Sequence, residues 1–185
     1  FATAGDNFTV TVGAYLWQAA DDSDNDGIPD ANKNISDNGL ATGFVANTLL
    51  QPELLNPSIA DGAVLGALNG SSLTAASFSG GQATATLSYS EVGSLKLQAK
   101  SLNYFGHTIE TPTENTFYIG RFVPKDFTIA VSAHGQLAPA CDNALNPGLT
   151  SFSYLGQTLT CTSGNNPTLN ITAKNSAGIG VSNYL

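Results

Sequence analysis

The sequence predicts an all-β fold, a β-sandwich of short strands, and three observations carry that prediction. Apolar and polar residues alternate with the strand period of two rather than the helical 3.6. Clusters of Gly, Asn and Pro punctuate the alternating runs, as tight turns require. The composition also fits: 19 of 185 residues are Gly, and 42% are hydrophobic. Charged residues make up only 11%, less than half the usual level of about 25%. Apolar content this high excludes an ordinary disordered tail.

In order along the chain, Phe8-Thr9-Val10-Thr11-Val12 reads in-out-in-out-in. The one helix-leaning stretch, Ala46 to Leu55, is cut by Pro52 and followed by Pro57, and is read as at most a short helical turn. Turn signals at Asn69-Gly70 and Gly80-Gly81 precede two further alternating runs, Ala83 to Tyr89 and Ser94 to Ala99. Phe127-Thr128-Ile129-Ala130-Val131 and Leu169-Asn170-Ile171-Thr172-Ala173 complete the set. Gly164-Asn165-Asn166-Pro167 and Ser176-Ala177-Gly178 supply the last turns. Such runs describe a sandwich better than a barrel or an α/β fold.

Self-comparison reveals a repeat. Asp6 to Ala14 matches Lys125 to Ala133, with the apolar positions kept and the polar ones drifting. Either both are opening strands of separate modules, or they are an early and a late strand of one domain. The first alternative divides the chain into a full module over 1–122, carrying an inserted Asp-rich loop at 21–37, and a shorter, incomplete module over 123–185. A sandwich normally needs roughly 100 residues, so an incomplete one leaves strand edges open to a partner chain.

The net charge of −8 comes from 14 acidic and 6 basic residues. No Lys/Arg cluster exists to displace counterions, which excludes a nucleic-acid partner. The apolar runs are too short to span a membrane. The chain has no signal-like start and no Met, which predicts a processed or excised piece of a longer chain. Its Ser/Thr/Asn/Gly-rich surface suits a secreted bacterial β protein.

The acidity is concentrated. Asp21, Asp22, Asp24, Asp26, Asp30 and Asp37 stand against Lys33 alone, so this stretch carries five of the eight net negative charges. Asp22-Ser23-Asp24-Asn25-Asp26-Gly27-Ile28-Pro29-Asp30 has carboxylates at alternate positions before a turn glycine, a spacing that aims hard oxygens at one point. Asp22, Asp24 and Asp26, the Ile28 carbonyl and Asp30 are the expected ligands. Lys33 stands where an EF-hand needs a bidentate Glu, so the closing ligand falls to Asp37, Asp21 or Asn32. Crowded carboxylates raise one another's pKa unless a cation intervenes. An all-oxygen set points to Ca2+ in a structural role.

Cys141 and Cys161, 20 apart, read first as a disulfide in an oxidising compartment. Two free thiols, or zinc shared with His107 and His134, are the alternatives. Neither histidine lies in a catalytic motif, and no nucleophile elbow or phosphate-cradling loop is present. Glu91 with Glu110 or Glu114 would be the carboxylate pair of a glycosidase, but Glu91 sits at a turn, where a carboxylate more often accepts backbone N–H bonds. Trp17, Tyr15 and Tyr104 are either a sugar-stacking platform or a core Trp with edge tyrosines.

The pieces then fall in a telling order. After the acidic loop come Gly43-Phe44, Tyr89-Ser90-Glu91-Val92-Gly93 and Ile119-Gly120-Arg121-Phe122-Val123-Pro124-Lys125-Asp126-Phe127. Phe152-Ser153-Tyr154-Leu155-Gly156-Gln157 and Asn183-Tyr184 follow. In these segments, over nearly its whole length, the chain resembles the C-terminal region of MshQ-type proteins, bacterial surface proteins associated with MSHA type IV pilus biogenesis. The resemblance implies immunoglobulin-like or cadherin-like modules without enzymatic activity. The expectation is a secreted structural or adhesion module of a bacterial surface appendage. It would be stiffened by Ca2+ and would join other copies or other domains of the same surface protein, by strand addition if copies assemble. The rival expectation is a carbohydrate-binding adhesin domain that uses the aromatic residues and the calcium loop to hold a glycan.

Overall fold

The computed structural model describes residues 1–30, 33–111, 117–135, 137–138, 155–156, 160–161 and 166–184. The chain is all-β, as its alternation predicts, and the only helical elements among the described residues are short 3-10 turns. It divides into two units, one made of Phe1–Asp126 with Ala173–Leu185 and the other of Phe127–Thr172. The first unit thus includes a returning C-terminal segment, Ala173–Leu185.

The first unit holds strands β1 (Ala2–Thr3), β2 (Asn7–Gly13), β3 (Thr48–Asn56), β4 (Leu68–Asn69), β5 (Ser72–Leu73), β6 (Gln82–Tyr89), β7 (Gly93–Tyr104), β8 (His107–Glu110) and β9 (Phe117–Val123). One sheet runs β1-β9-β7-β3-β5, with β8 also paired to β7, and the other runs β2-β6-β4. Burial along β6 alternates strictly: Ala83, Ala85, Leu87 and Tyr89 are buried, while Gln82, Thr84 and Thr86 face solvent. That inward row meets Leu50, Leu73 and Leu97 of the other sheet, together with Phe44, Ala46 and Phe78 from the connections. Nearer the chain ends, Tyr89 joins Ala4, Leu54, Val92, Leu95 and Phe122. The Tyr89 and Phe122 rings lie 5.2 Å apart, and Phe8 and Phe122 5.3 Å. Two sheets facing across a shared apolar layer form a β-sandwich.

One element departs from expectation. The helix-leaning stretch from Ala46 to Leu55 is mostly strand β3, paired antiparallel with β7 from Leu49 to Asn56. Leu50 and Leu54 turn inward two pleats apart and are buried, and this packing overrides helical propensity. The Leu50 N–H bonds Ser71 on the side away from β7. Alternate residues turn to the same side, so the Pro52 nitrogen also faces away from β7, where no ladder bond is lost.

Polar side chains hold the returning segment. The buried Glu91 carboxylate accepts the Ser182 N–H at 2.9 and 3.0 Å and the Asn183 N–H at 3.3 Å. Asn183 reciprocates the backbone of Val64, accepting its N–H and donating to its carbonyl, each at 2.8 Å. Asn175 donates to the Ser90 carbonyl at 3.1 Å. Close approach explains Gly5: at φ +88 it faces Ser176, whose Oγ would lie 2.5 Å from an added Cβ.

The second unit is formed around strand β10 (Asp126–Ala133) paired with β13 (Thr168–Lys174), and β11 (Leu137–Ala138) paired with β12 (Thr160–Cys161). Both long alternating runs predicted there are strands. Cys161 is half-buried on β12. Its predicted disulfide partner Cys141 lies outside the described residues, as does most of the Phe152 to Gln157 segment. No helix among the described residues is long and apolar enough to cross a membrane.

Leu87 is fully buried between the sheets, so Leu87→Ala is expected to lower the unfolding free energy by about 2–5 kcal/mol in a denaturant titration. Asn183→Ala, which leaves the Val64 backbone unpaired, is expected to cost about 1–3 kcal/mol in the same measurement.

Candidate metal centre

The acidic residues sit on the long excursion between β2 and β3, residues 14–47, and backbone bonds close that excursion at its base. Ala14 donates to Gly81, Ala41 to Ala14 and Leu16 to Gly39, each at 2.8 Å. Beyond them, the Asn38 amide donates to the Leu16 carbonyl at 3.0 Å and to the Asp21 carboxylate at 2.8 Å. Lys33 reaches the Ala20 carbonyl at 2.8 Å. The excursion therefore has a defined exit and return, with the aspartates at its tip.

Asp22 organises that tip. Its side chain is almost fully buried, and its oxygens accept the Asp26 N–H at 3.2 Å, the Gly27 N–H at 2.8 Å and the Trp17 indole N–H at 3.2 Å. The turn that presents those amides needs left-handed backbone at Asn25 (φ 57) and Gly27 (φ 86), the two residue types that adopt it at least cost. Asp30 closes the other side, where its carboxylate accepts the Ser23 N–H at 3.2 Å.

The result is convergence. Asp22, Asp24 and Asp30 each place one carboxylate oxygen within 4.8 Å of the others, and this group can hold a metal ion. Asp26 is outside that group; its Oδ1 accepts the Ile28 N–H at 2.8 Å and so shapes the turn. The Ile28 side chain is exposed. Asp21 is tied to Asn38 on the far side of the loop, and Asn32 lies outside the described residues. Hard, anionic, all-oxygen donors fit a hard cation.

The electrostatics of the two neighbours diverge. Burial pushes the Asp22 carboxyl up, but the Gly27 N–H, the Asp24 side chain, the Asp26 N–H and the Trp17 indole together outweigh it and hold the group below the ordinary carboxylate range. Asp24 lies above that range, chiefly because of the Asp26 charge and also because of Asp22. Repulsion is thus relieved at the buried carboxylate by N–H donors and left standing at the exposed one.

The other candidates are dispersed. Glu91 binds backbone, as its turn position suggested, and Glu110 pairs with Lys100 at 2.8 Å; Glu114 lies outside the described residues. His107 and His134 are exposed. Tyr104 packs on Phe44 with ring centroids 4.8 Å apart. Trp17 is half-exposed beside the aspartates rather than in the core. The sequence reading missed the Trp17–Asp22 bond and the Asn38 brace. Both cross turns whose geometry no spacing rule supplies.

Residues 91–185 match the model of one family, DUF6701, third domain. No curated protein and no solved structure matches the chain.

Without Asp22 the amides of Asp26 and Gly27 and the Trp17 indole lose their acceptor. In metal-free protein, Asp22→Ala is expected to speed hydrogen exchange at Asp26 and Gly27 and to shift Trp17 fluorescence. Unchanged exchange at those two amides would contradict this account of the loop.

Proposed function

The chain belongs to the DUF6701 family through this third domain, and on that premise we propose that it is a non-enzymatic structural and adhesion module of a bacterial surface appendage, stiffened by Ca2+. The observation that carries the proposal is the convergence of Asp22, Asp24 and Asp30 on a loop of a β-sandwich. Those three residues would hold the ion. Asp26, the Ile28 carbonyl and one of Asp37, Asp21 or Asn32 are the further candidate ligands in the sequence, and Ca2+ takes six to eight oxygens. Bound there, Ca2+ supplies the positive charge that offsets the repulsion felt by Asp24. The chain's own part is to keep the loop preformed through Asp22 and Asn38.

The role is mechanical. A sandwich with a pinned excursion spaces and orients neighbouring parts of a cell-surface protein, and its partners are other copies or other domains of that protein. The Gly120 to Phe127 and Tyr154 to Gln157 segments support placing it among MshQ-type, pilus-associated proteins, secreted to the bacterial surface. The engagement of Glu91 by backbone and of Glu110 by Lys100 supports a non-catalytic reading.

Trp17 favours a second reading. Its N–H is held by Asp22 while about half the residue stays exposed, so an aromatic surface stands beside the metal site, an arrangement suited to stacking a sugar. A glycan array with and without Ca2+ separates the two, because a spacer retains no glycan.

The cation is tested by thermal unfolding in Ca2+, in Mg2+ and in excess chelator. With Ca2+ at 100 times its dissociation constant, the expected stabilisation is about 2.7 kcal/mol, with a smaller response to Mg2+. Melts that coincide in all three conditions would remove Ca2+ from the proposal.

A further inference from the structure

The first unit treats its sheet edges unequally. The open edge of β3 presents Pro52, which has no N–H, and the register of β3 shifts between Leu54 and Asn56. β1, β4 and β5, which border the sheets elsewhere, are two residues each. β9 carries Arg121 and meets β7 with a register shift. These are familiar ways of blunting an edge against association.

β2 has none of them. It is seven residues long, contains no charge and no Pro, and pairs with β6 in unbroken register from Asn7↔Ser88 to Gly13↔Gln82. Its other side carries no strand among the described residues. Ala14 continues that register by donating to Gly81, so the even-numbered residues bond β6 and the backbone groups of Thr9 and Thr11 point away from it. Phe8, Val10 and Val12 pack against the core yet stay only partly buried. An adjacent strand would cover what remains.

We propose that two copies of this chain join through β2, antiparallel about a two-fold axis at Val10, making one continuous sheet from the two β2-β6-β4 sheets. The strand is self-complementary in that arrangement. Thr9 of one copy faces Thr11 of the other and exchanges backbone hydrogen bonds with it, Phe8 faces Val12, and Val10 faces itself. Like-to-like threonine and apolar pairs are favourable across strands, and no like charges oppose each other. An edge contact of this size is small, so the dimer is weak and forms at high local concentration, as on a surface. The proposal rests on the reading of other copies as partners and names the strand they use.

The test is sedimentation of the full chain from micromolar to millimolar concentration, with Thr9→Lys/Thr11→Lys beside it. Both side chains are exposed, so the variant is expected to keep its melting temperature in dilute solution. Dimerisation should weaken about tenfold, as charge is set against like charge. Hydrogen exchange supplies a second readout: the Thr9 and Thr11 amides should gain protection in the wild-type dimer, whereas Phe8 and Val10 are already bonded to β6. Self-association that the variant leaves unchanged, with Thr9 and Thr11 unprotected, would overturn the β2 interface while sparing partnership between copies. A chain that stays monomeric throughout would overturn both.

Discussion

The inward row of β6 is the constraint on which the first unit depends. Ala83, Ala85, Leu87 and Tyr89 form one face of a strand that lies in the middle of its sheet, and both apolar clusters are built against them. Small residues at one end and large ones at the other divide the labour. The alanines leave room for Phe44 and Phe78, which come from connections rather than strands and stack edge to face at 5.0 Å. Tyr89 instead fills space itself, and its hydroxyl accepts the Gly66 N–H at 2.9 Å. Burial raises its pKa, against the opposing pull of the Gly66 N–H, so the phenol stays neutral. Shifting β6 by one residue would exchange this row for Gln82, Thr84, Thr86 and Ser88, so the register is strongly specified.

An apolar layer of this kind does not extend to the excursion between β2 and β3, and the chain secures that segment differently. Phe44 and Ala46 anchor its returning end in the core. Its tip has carboxylates and amides in place of apolar side chains. Asp22 gathers two backbone N–H groups and an indole, and Asn38 links two points of the loop. Among the described residues no buried side-chain polar atom lacks a partner, which is the condition for polar groups to stabilise rather than weaken a fold. A loop ordered in this way is preorganised, so a cation arriving at Asp22, Asp24 and Asp30 would lose little free energy to ordering them.

Much of the fold was legible because a strand of a two-layer protein writes its burial into a period of two. Phe8 to Val12, Ala83 to Tyr89 and Leu169 to Ala173 are all strands where the alternation placed them. β3 was not legible. Its Leu, Gln and Glu favour a helix locally, and only pairing with β7 decides otherwise, a fact held in residues about forty to fifty positions away. The candidate metal site was readable as a set of aspartates, because alternate carboxylates before a glycine constrain a loop sharply. Which of them converge was not readable. Asp26 uses its oxygen on the Ile28 N–H, while Asp30 comes in, and that choice depends on turn dihedrals at Asn25 and Gly27 rather than on spacing.

The low charge content has a structural consequence beyond composition. Where a more charged protein would cross-link its surface with ion pairs, this chain uses Asn and Glu side chains against backbone. Asn175 and Asn183 fasten the returning segment to Ser90, Val64 and Val92, Glu91 accepts the Ser182 and Asn183 N–H groups, and Asn47 accepts the Ala75 N–H at 2.9 Å. Bonds of this type are short-ranged, and those of Asn175 and Asn183 are at least partly buried, so salt screens them less than it screens exposed ion pairs. They also fix the geometry of one specific backbone segment against another, which a long, mobile Lys–Glu pair does not. A module built this way depends less on ionic strength, and five of its eight net negative charges lie on the stretch from Asp21 to Asp37.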